Sequence, residues 1–212
     1  MPKQYARIAG RSLVMHTLAA LQHVPRLQAT LVVLAPGDAF FAAQAGAVDA
    51  ERTWLAPCGG ATRAATVANG LGELQHRGAR DDDWVLVHDA ARCLLQPAWV
   101  ERLIDACLAD PVGGLLALPL ADTLKQANAG RVQRTLERSD KWAAQTPQMF
   151  RLGLLRQALA RAGDAVTDEA GAVEALGLQP LLVAGELENF KITWPQDLAL
   201  AERLLASRGP SA

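Results

Sequence analysis

Strand-like and helix-like patterns alternate along the whole of this 212-residue chain, and that alternation restricts the possible folds more than any single residue does. Leu31-Val32-Val33-Leu34, Thr53-Trp54-Leu55, Trp84-Val85-Leu86-Val87, Gly114-Leu115-Leu116-Ala117-Leu118 and Leu181-Leu182-Val183 read as short apolar strands. Helical patterns lie between them. One starts at a Ser12 cap and runs through Leu13, Leu18 and Leu21, and others cover 62–76, 97–108, 151–161, the residues after Thr167 and those after Pro195. Strands and helices in this rhythm predict an α/β fold, with a parallel or mostly parallel sheet covered on both faces. Half the residues are hydrophobic, enough for the core of one domain spanning 1–212.

One segment departs from the rhythm. From Asp122 to Trp142 the chain is polar, compatible with strands and poor in core residues. It reads as a projecting hairpin arm at about residues 122–142. Such an arm needs a partner to bury one face, so a homodimer is expected, with a plain surface excursion as the alternative.

Composition excludes several function classes. The formal net charge is −1 and no long basic run occurs, which argues against a nucleic-acid-binding face. No stretch is long enough to span a membrane and no signal peptide opens the chain, so a soluble cytoplasmic protein is expected. The three cysteines, Cys58, Cys93 and Cys107, lack metal-ligand spacing and suit a reducing compartment.

The residues with chemistry fall at strand ends and loops. Trp84–Val87 runs into His88-Asp89-Ala90-Ala91-Arg92, and ligands of open α/β sheets sit beyond the carboxyl ends of strands. Asp89 can hold a cation there and Arg92 a phosphate, or the two form a strand-end salt bridge. Gly59-Gly60-Ala61-Thr62-Arg63-Ala64-Ala65-Thr66 places two glycines before a helix, which suits an anion or is an ordinary N-cap; the P-loop spacing is absent. Glu188-Asn189-Phe190-Lys191-Ile192-Thr193 reads as a second strand-like run ahead of a proline-started helix. Asp89 and Glu188, on separate strand ends, are expected to share one divalent cation, Mg²⁺ or another, with substrate phosphates. Lys3 reads by itself as solvated surface, Thr167-Asp168-Glu169 as a helix cap or, equally, a ligand-holding group, and His88 as structural. His16, His23 and His76 lie in helical patterns without evident partners.

In order along the chain, P-K-Q-Y, G-G-x-x-R, H-D-A-A-R, D-T-x-K, T-P-Q, T-D-E and N-x-K-I-T-x-P-x-D-L resemble the 2-C-methyl-D-erythritol 4-phosphate cytidylyltransferase family, from Pro2 to about Leu198. The resemblance implies a Rossmann-like domain that joins CTP to a sugar-alcohol phosphate with Mg²⁺, the substrate phosphate attacking the α-phosphate and pyrophosphate leaving. It implies that Lys3 stabilises the transition state. Gly59, Gly60 and Thr66 would recognise cytosine and ribose, with Arg63 organising that loop. Asp89 would lie near metal and substrate with Arg92 beside it. Thr123, Thr167 and Glu188 would contact substrate, while Arg138 and Lys191 would position the methylerythritol phosphate. Arg138 would do so for the neighbouring subunit of a homodimer.

Three departures accompany the match. Ala61 replaces an acidic residue of some relatives, and Cys93 a proline. The family also opens with a strand and a glycine-rich loop ahead of P-K-Q-Y, so a chain beginning at Met1-Pro2 is expected to lack both and to leave backbone edges unpaired in its core. Ribitol 5-phosphate as substrate, or a non-catalytic dimeric remnant, are the alternative readings.

Overall fold

The structure is a computed structural model and describes residues 2–163 and 166–208. Its elements follow the expected alternation. A short antiparallel ribbon, β1 (Arg7–Ile8) and β2 (Arg11–Ser12), leads into α1 (Leu13–Gln22). Then come β3 (Thr30–Val33), β4 (Thr53–Ala56), α2 (Arg63–His76), β5 (Trp84–Val87), α3 (Pro97–Leu108) and β6 (Gly113–Pro119). The hairpin β7 (Leu124–Asn128) and β8 (Arg131–Leu136) follows, then β9 (Trp142–Arg151), α4 (Leu152–Ala162), α5 (Glu169–Glu174), β10 (Leu181–Ala184) and α6 (Pro195–Ser207).

The main sheet has the order β10-β6-β9-β5. β6 and β10 are parallel, but β9 runs antiparallel to both its neighbours, so the sheet is mixed, and β5, expected in a parallel ladder, pairs only with antiparallel β9. The sequence pattern showed no strand at 142–151. Gln145, Thr146 and Gln148 interrupt any apolar alternation there, yet all three are buried, because hydrogen bonds satisfy their polar groups. The Thr146-Pro147 peptide is cis.

Period-two alternation distributes the core to both faces of this sheet. Leu115, Ala117 and Phe150 pack with Leu155 and Leu159 of α4 and with Val173 of α5. Leu116, Met149 and Val183 point the other way, onto Trp99, Val100, Leu103, Ile104 and Cys107 of α3. That α3 stripe recurs at helical spacing, and Pro97 occupies the first turn, where no backbone donor is lost. Helices therefore cover both faces, as expected.

β3 and β4 form a separate parallel pair. β3, β4, β5 and β10 thus each carry one edge without a strand partner among the described residues. A cavity of about 270 Å³ lies between β3 and the turn after β5, lined by Val32, Val33 and Leu34 on one side and Asp89, Ala90 and Ala91 on the other.

The arm is shorter than its polar stretch. Ala129 (φ 47°) and Gly130 (φ 75°) are both left-handed, as a two-residue loop matching strand twist requires. β7 and β8 pair only with each other, and most of their residues are exposed. The run at 188–193 is not a strand. Leu187–Asn189 forms a single 3₁₀ turn, and α6 begins after it.

Candidate active site

The turn after β5 is built from polar groups that satisfy one another. The His88 Nε2 lies 3.3 Å from the Arg92 carbonyl, which only accepts, so Nε2 carries the proton. Nδ1 then accepts from the Thr146 hydroxyl at 3.0 Å, and the Thr146 oxygen accepts the Asp89 N–H at 3.0 Å. Burial lowers the His88 pKa to about 4, so the ring is neutral and structural, as the sequence suggested. The partners of His16 and His23 are local backbone: their rings bond Ile8 O at 2.9 Å and Ala19 O at 2.7 Å.

This scaffold presents the Asp89 carboxylate to three cations. Lys191 Nζ is 2.8 Å from Oδ2, Arg63 Nε is 3.2 Å from Oδ1, and Arg92 Nε is 3.9 Å from Oδ2. Burial alone would raise the carboxyl, but Lys191 and Arg63 outweigh it and hold the pKa at about 2. Arg63 also grips Glu169, which is fully buried, through Nη1–Oε1 at 2.6 Å and Nη2–Oε2 at 3.0 Å. Burial would weaken the Arg63 charge; the two carboxylates more than restore it. Three cations against two carboxylates leave the cluster with one excess positive charge.

Arg92 is largely committed to the walls. Nη1 donates to the Asn189 carbonyl at 2.6 Å and Nη2 to the Ala144 carbonyl at 3.3 Å, tying β5, β9 and the 189–192 segment together. Asn189 is itself buried and donates to Thr146 O and Gln145 Oε1.

The Gly59-Gly60 loop is a compact lead into α2. A Cβ on Gly59 would lie 2.9 Å from Leu34 O, and one on Gly60 would lie 2.6 Å from the Ala65 Cβ, so both positions require glycine. Gly60 N donates to Thr66 Oγ1 at 3.0 Å, and Thr62 caps the helix by accepting from Ala65 N at 3.1 Å. Arg63 leaves this loop as the first residue of α2 and reaches Asp89 from there.

Lys3, Asp89 and Lys191 line the same cavity of about 270 Å³, and Lys3 Nζ donates to Ile192 O at 3.3 Å, beside Lys191. Other expected residues stand elsewhere. Glu188 pairs with Arg208 at 2.6 Å rather than turning to Asp89. Arg138 sits at the base of the arm, donating to Leu120 O at 3.3 Å. Thr123 and Thr167 are exposed, Thr167 directly before the Asp168 cap, whose carboxylate accepts from Gly171 N at 2.9 Å. Among the described residues no group of three or more His, Cys, Asp and Glu converges as a metal site.

Sequence reading missed Glu169 and Thr146 as parts of this cluster. Glu169 looked like a cap residue, and its partner Arg63 lies 106 positions away, beyond any local pattern. Thr146 was legible only within T-P-Q.

Comparison with known proteins decides the lineage of this site. The profile of the 2-C-methyl-D-erythritol 4-phosphate cytidylyltransferase family (IspD) matches residues 1–207. The chain belongs to the 2-C-methyl-D-erythritol 4-phosphate cytidylyltransferase family. Among members of the IspD family, a cytidylyltransferase of Laribacter hongkongensis is 57% identical over 206 residues, covering 96% of this chain and 88% of that protein. A bifunctional IspD/IspF enzyme of Albidiferax ferrireducens is 61% identical over 207 residues; the match covers 98% of this chain and 49% of that protein, so the chain spans about half its length. A crystal structure of a 4-diphosphocytidyl-2C-methyl-D-erythritol synthase superposes with a TM-score of 0.90 at 43% identity, covering 96% of this chain and 94% of that one. The IspD enzyme of Thermus thermophilus superposes at 0.80 and 35% identity, covering 97% and 94%.

Proposed function

We propose that this chain transfers the cytidylyl group of CTP to 2-C-methyl-D-erythritol 4-phosphate, releasing pyrophosphate, in isoprenoid precursor biosynthesis. The observation that carries the reading is the ionised Asp89, held by Lys191 and Arg63 in a cavity that Lys3 also lines, in a member of this family. Relatives named for the methylerythritol substrate support it over ribitol 5-phosphate, and their named activity supports an enzyme over a non-catalytic remnant.

In this reaction a phosphate oxygen of the substrate forms a bond to the α-phosphorus while the bond to pyrophosphate breaks. No proton need move at the reacting phosphorus, so catalysis is positioning and charge stabilisation. Lys3 and Lys191, which both line the cavity, supply positive charge to the oxygens on which charge builds. Gly59, Gly60, Arg63 and Thr66 form the nucleotide loop and Arg92 braces the substrate side, with Thr123, Thr167 and Glu188 as proposed substrate contacts outside the lining of this cavity. Arg138, carried on the exposed arm, reaches the site of a second subunit.

Asp89 fits a divalent cation: its carboxylate is ionised and borders the cavity. With three cations already around it and Glu188 turned to Arg208, it does not form a stand-alone metal cage. Asp89 would give Mg²⁺ one oxygen ligand, with the triphosphate supplying others. Bound there, the cation supplies charge neutralisation to the phosphates.

One domain spanning 1–212, with the arm at 122–142, completes the proposal. Trp142 and Val132 on the arm and Leu182 on edge strand β10 expose 40%, 63% and 46% of their surface, which supports a homodimer that covers them. No described helix is long and apolar enough to cross a membrane, in keeping with a cytoplasmic enzyme. The decisive test is pyrophosphate release from CTP and Mg²⁺ with methylerythritol 4-phosphate or ribitol 5-phosphate. Turnover with the first alone supports the proposal; turnover with ribitol phosphate alone, or with neither, overturns it.

A further inference from the structure

The role of Glu169 is not explained by the helix it begins. It is fully buried at the first position of α5, where Asp168 already caps the helix, so its carboxylate contributes nothing to the cap that Asp168 does not. A buried carboxylate is stable only with a partner, and this one takes both terminal nitrogens of Arg63 in a fork, at 2.6 and 3.0 Å. A guanidinium is planar and rigid, so once both terminal nitrogens are held the direction of Nε is set. That Nε points at Asp89 Oδ1, 3.2 Å away.

We infer that Glu169 is a positioning residue for the proposed nucleotidyl transfer, acting on Asp89 through Arg63. With the fork in place Arg63 offers Asp89 a single donor, and one face of the carboxylate stays available to Lys191 and to a ligand in the cavity. Without the fork Arg63 is free to close on Asp89 with two nitrogens and occupy the oxygens that the substrate complex needs. The inference rests on the proposed function for its kinetic arm only.

The test is a double-mutant cycle of Glu169→Gln and Arg63→Met, read by steady-state kinetics, thermal melting and the NMR signal of the Arg63 Nε–H. Glu169→Gln is expected to lower kcat about tenfold or more with the CTP KM changed less than about threefold, and to shift the Nε–H resonance. In the Arg63→Met background the same substitution is expected to change kcat less than about twofold, and to raise the melting temperature by removing a stranded carboxylate. Equal loss of kcat in both backgrounds, or an unchanged Nε–H signal, overturns the inference. Should Glu169→Gln not fold, Glu169→Asp, which keeps the charge and withdraws the oxygens, gives the same comparison. If the wild type itself has no turnover, the proposed function fails, while the Nε–H shift still decides whether Glu169 holds Arg63.

Discussion

Lys191 Nζ lies 2.8 Å from Asp89 Oδ2, joining the segment before α6 to the turn that ends β5. Both residues line the same cavity. Together with Arg63, Lys191 holds the Asp89 carboxyl, against the effect of burial, at a pKa of about 2, so the group is ionised near neutral pH.

Replacing Asp89 with Asn is expected to lower kcat by about 100-fold and stability by about 1–3 kcal/mol. The amide keeps the shape but leaves Lys191 and Arg92 without their carboxylate and Arg63 with Glu169 alone. Pyrophosphate release and denaturant melts of the same preparation measure both effects.

Lys191→Met removes one of the two groups that depress the Asp89 pKa while burial continues to raise it. Carboxyl-detected NMR titration should show the Asp89 midpoint moving up from about 2, with Arg63 still opposing burial. The sign follows from linkage: a depressed carboxyl stabilises the fold above pH 3.8 and that contribution fades as pH falls toward 2. In the variant the window still opens at pH 3.8 but closes at a higher pH, so less stability is lost on acidification. An unmoved midpoint would mean that Arg63 alone sets the charge of Asp89.

The neutral His88 produces a second pH dependence in a separate window. Its folded pKa of about 4 lies below the ordinary 6.5, so the unfolded chain takes up a proton that the folded one refuses. This contribution is complete above pH 6.5, declines as pH falls to about 4 and is constant below that. The slope of stability between pH 6.5 and 4 should be smaller in His88→Gln than in the wild type. Equal slopes would assign the effect to another histidine.

Gly60→Ala brings a methyl to 2.6 Å from the Ala65 Cβ, so the start of α2 must shift. Overpacking of this kind costs about 1–3 kcal/mol. If the loop binds nucleotide, the KM for CTP should rise about tenfold while folding is retained. A KM unchanged in a folded variant would remove this loop from the nucleotide site.

The open edge of β5 should be visible to solvent. Alternate amides of Trp84–Val87 on the side away from β9 are expected to exchange about tenfold faster than those of Leu115–Ala117, which lie between β10 and β9. Hydrogen exchange followed by NMR resolves this residue by residue.

Much of this protein was determined locally. The apolar run Trp84–Val87, the Pro97 start of α3 and its stripe from Trp99 to Cys107 are stretches where intrinsic preference and tertiary environment agree, and the structure places those elements at the expected residues. The ordered series of short motifs identified the family, because each lies where chemistry restricts residue choice within a few positions. What lay beyond sequence was whatever depends on groups far apart in the chain. β9 became a central antiparallel strand because Asp89, Asp168 and Ala170 supply hydrogen bonds that let Thr146 and Gln148 be buried. Glu169 found Arg63 across 106 positions, and Glu188, expected beside Asp89, found Arg208 instead. A carboxylate in a sequence is only a charge; which cation neutralises it is decided by burial and distance, and those exist only once the strands have been brought together.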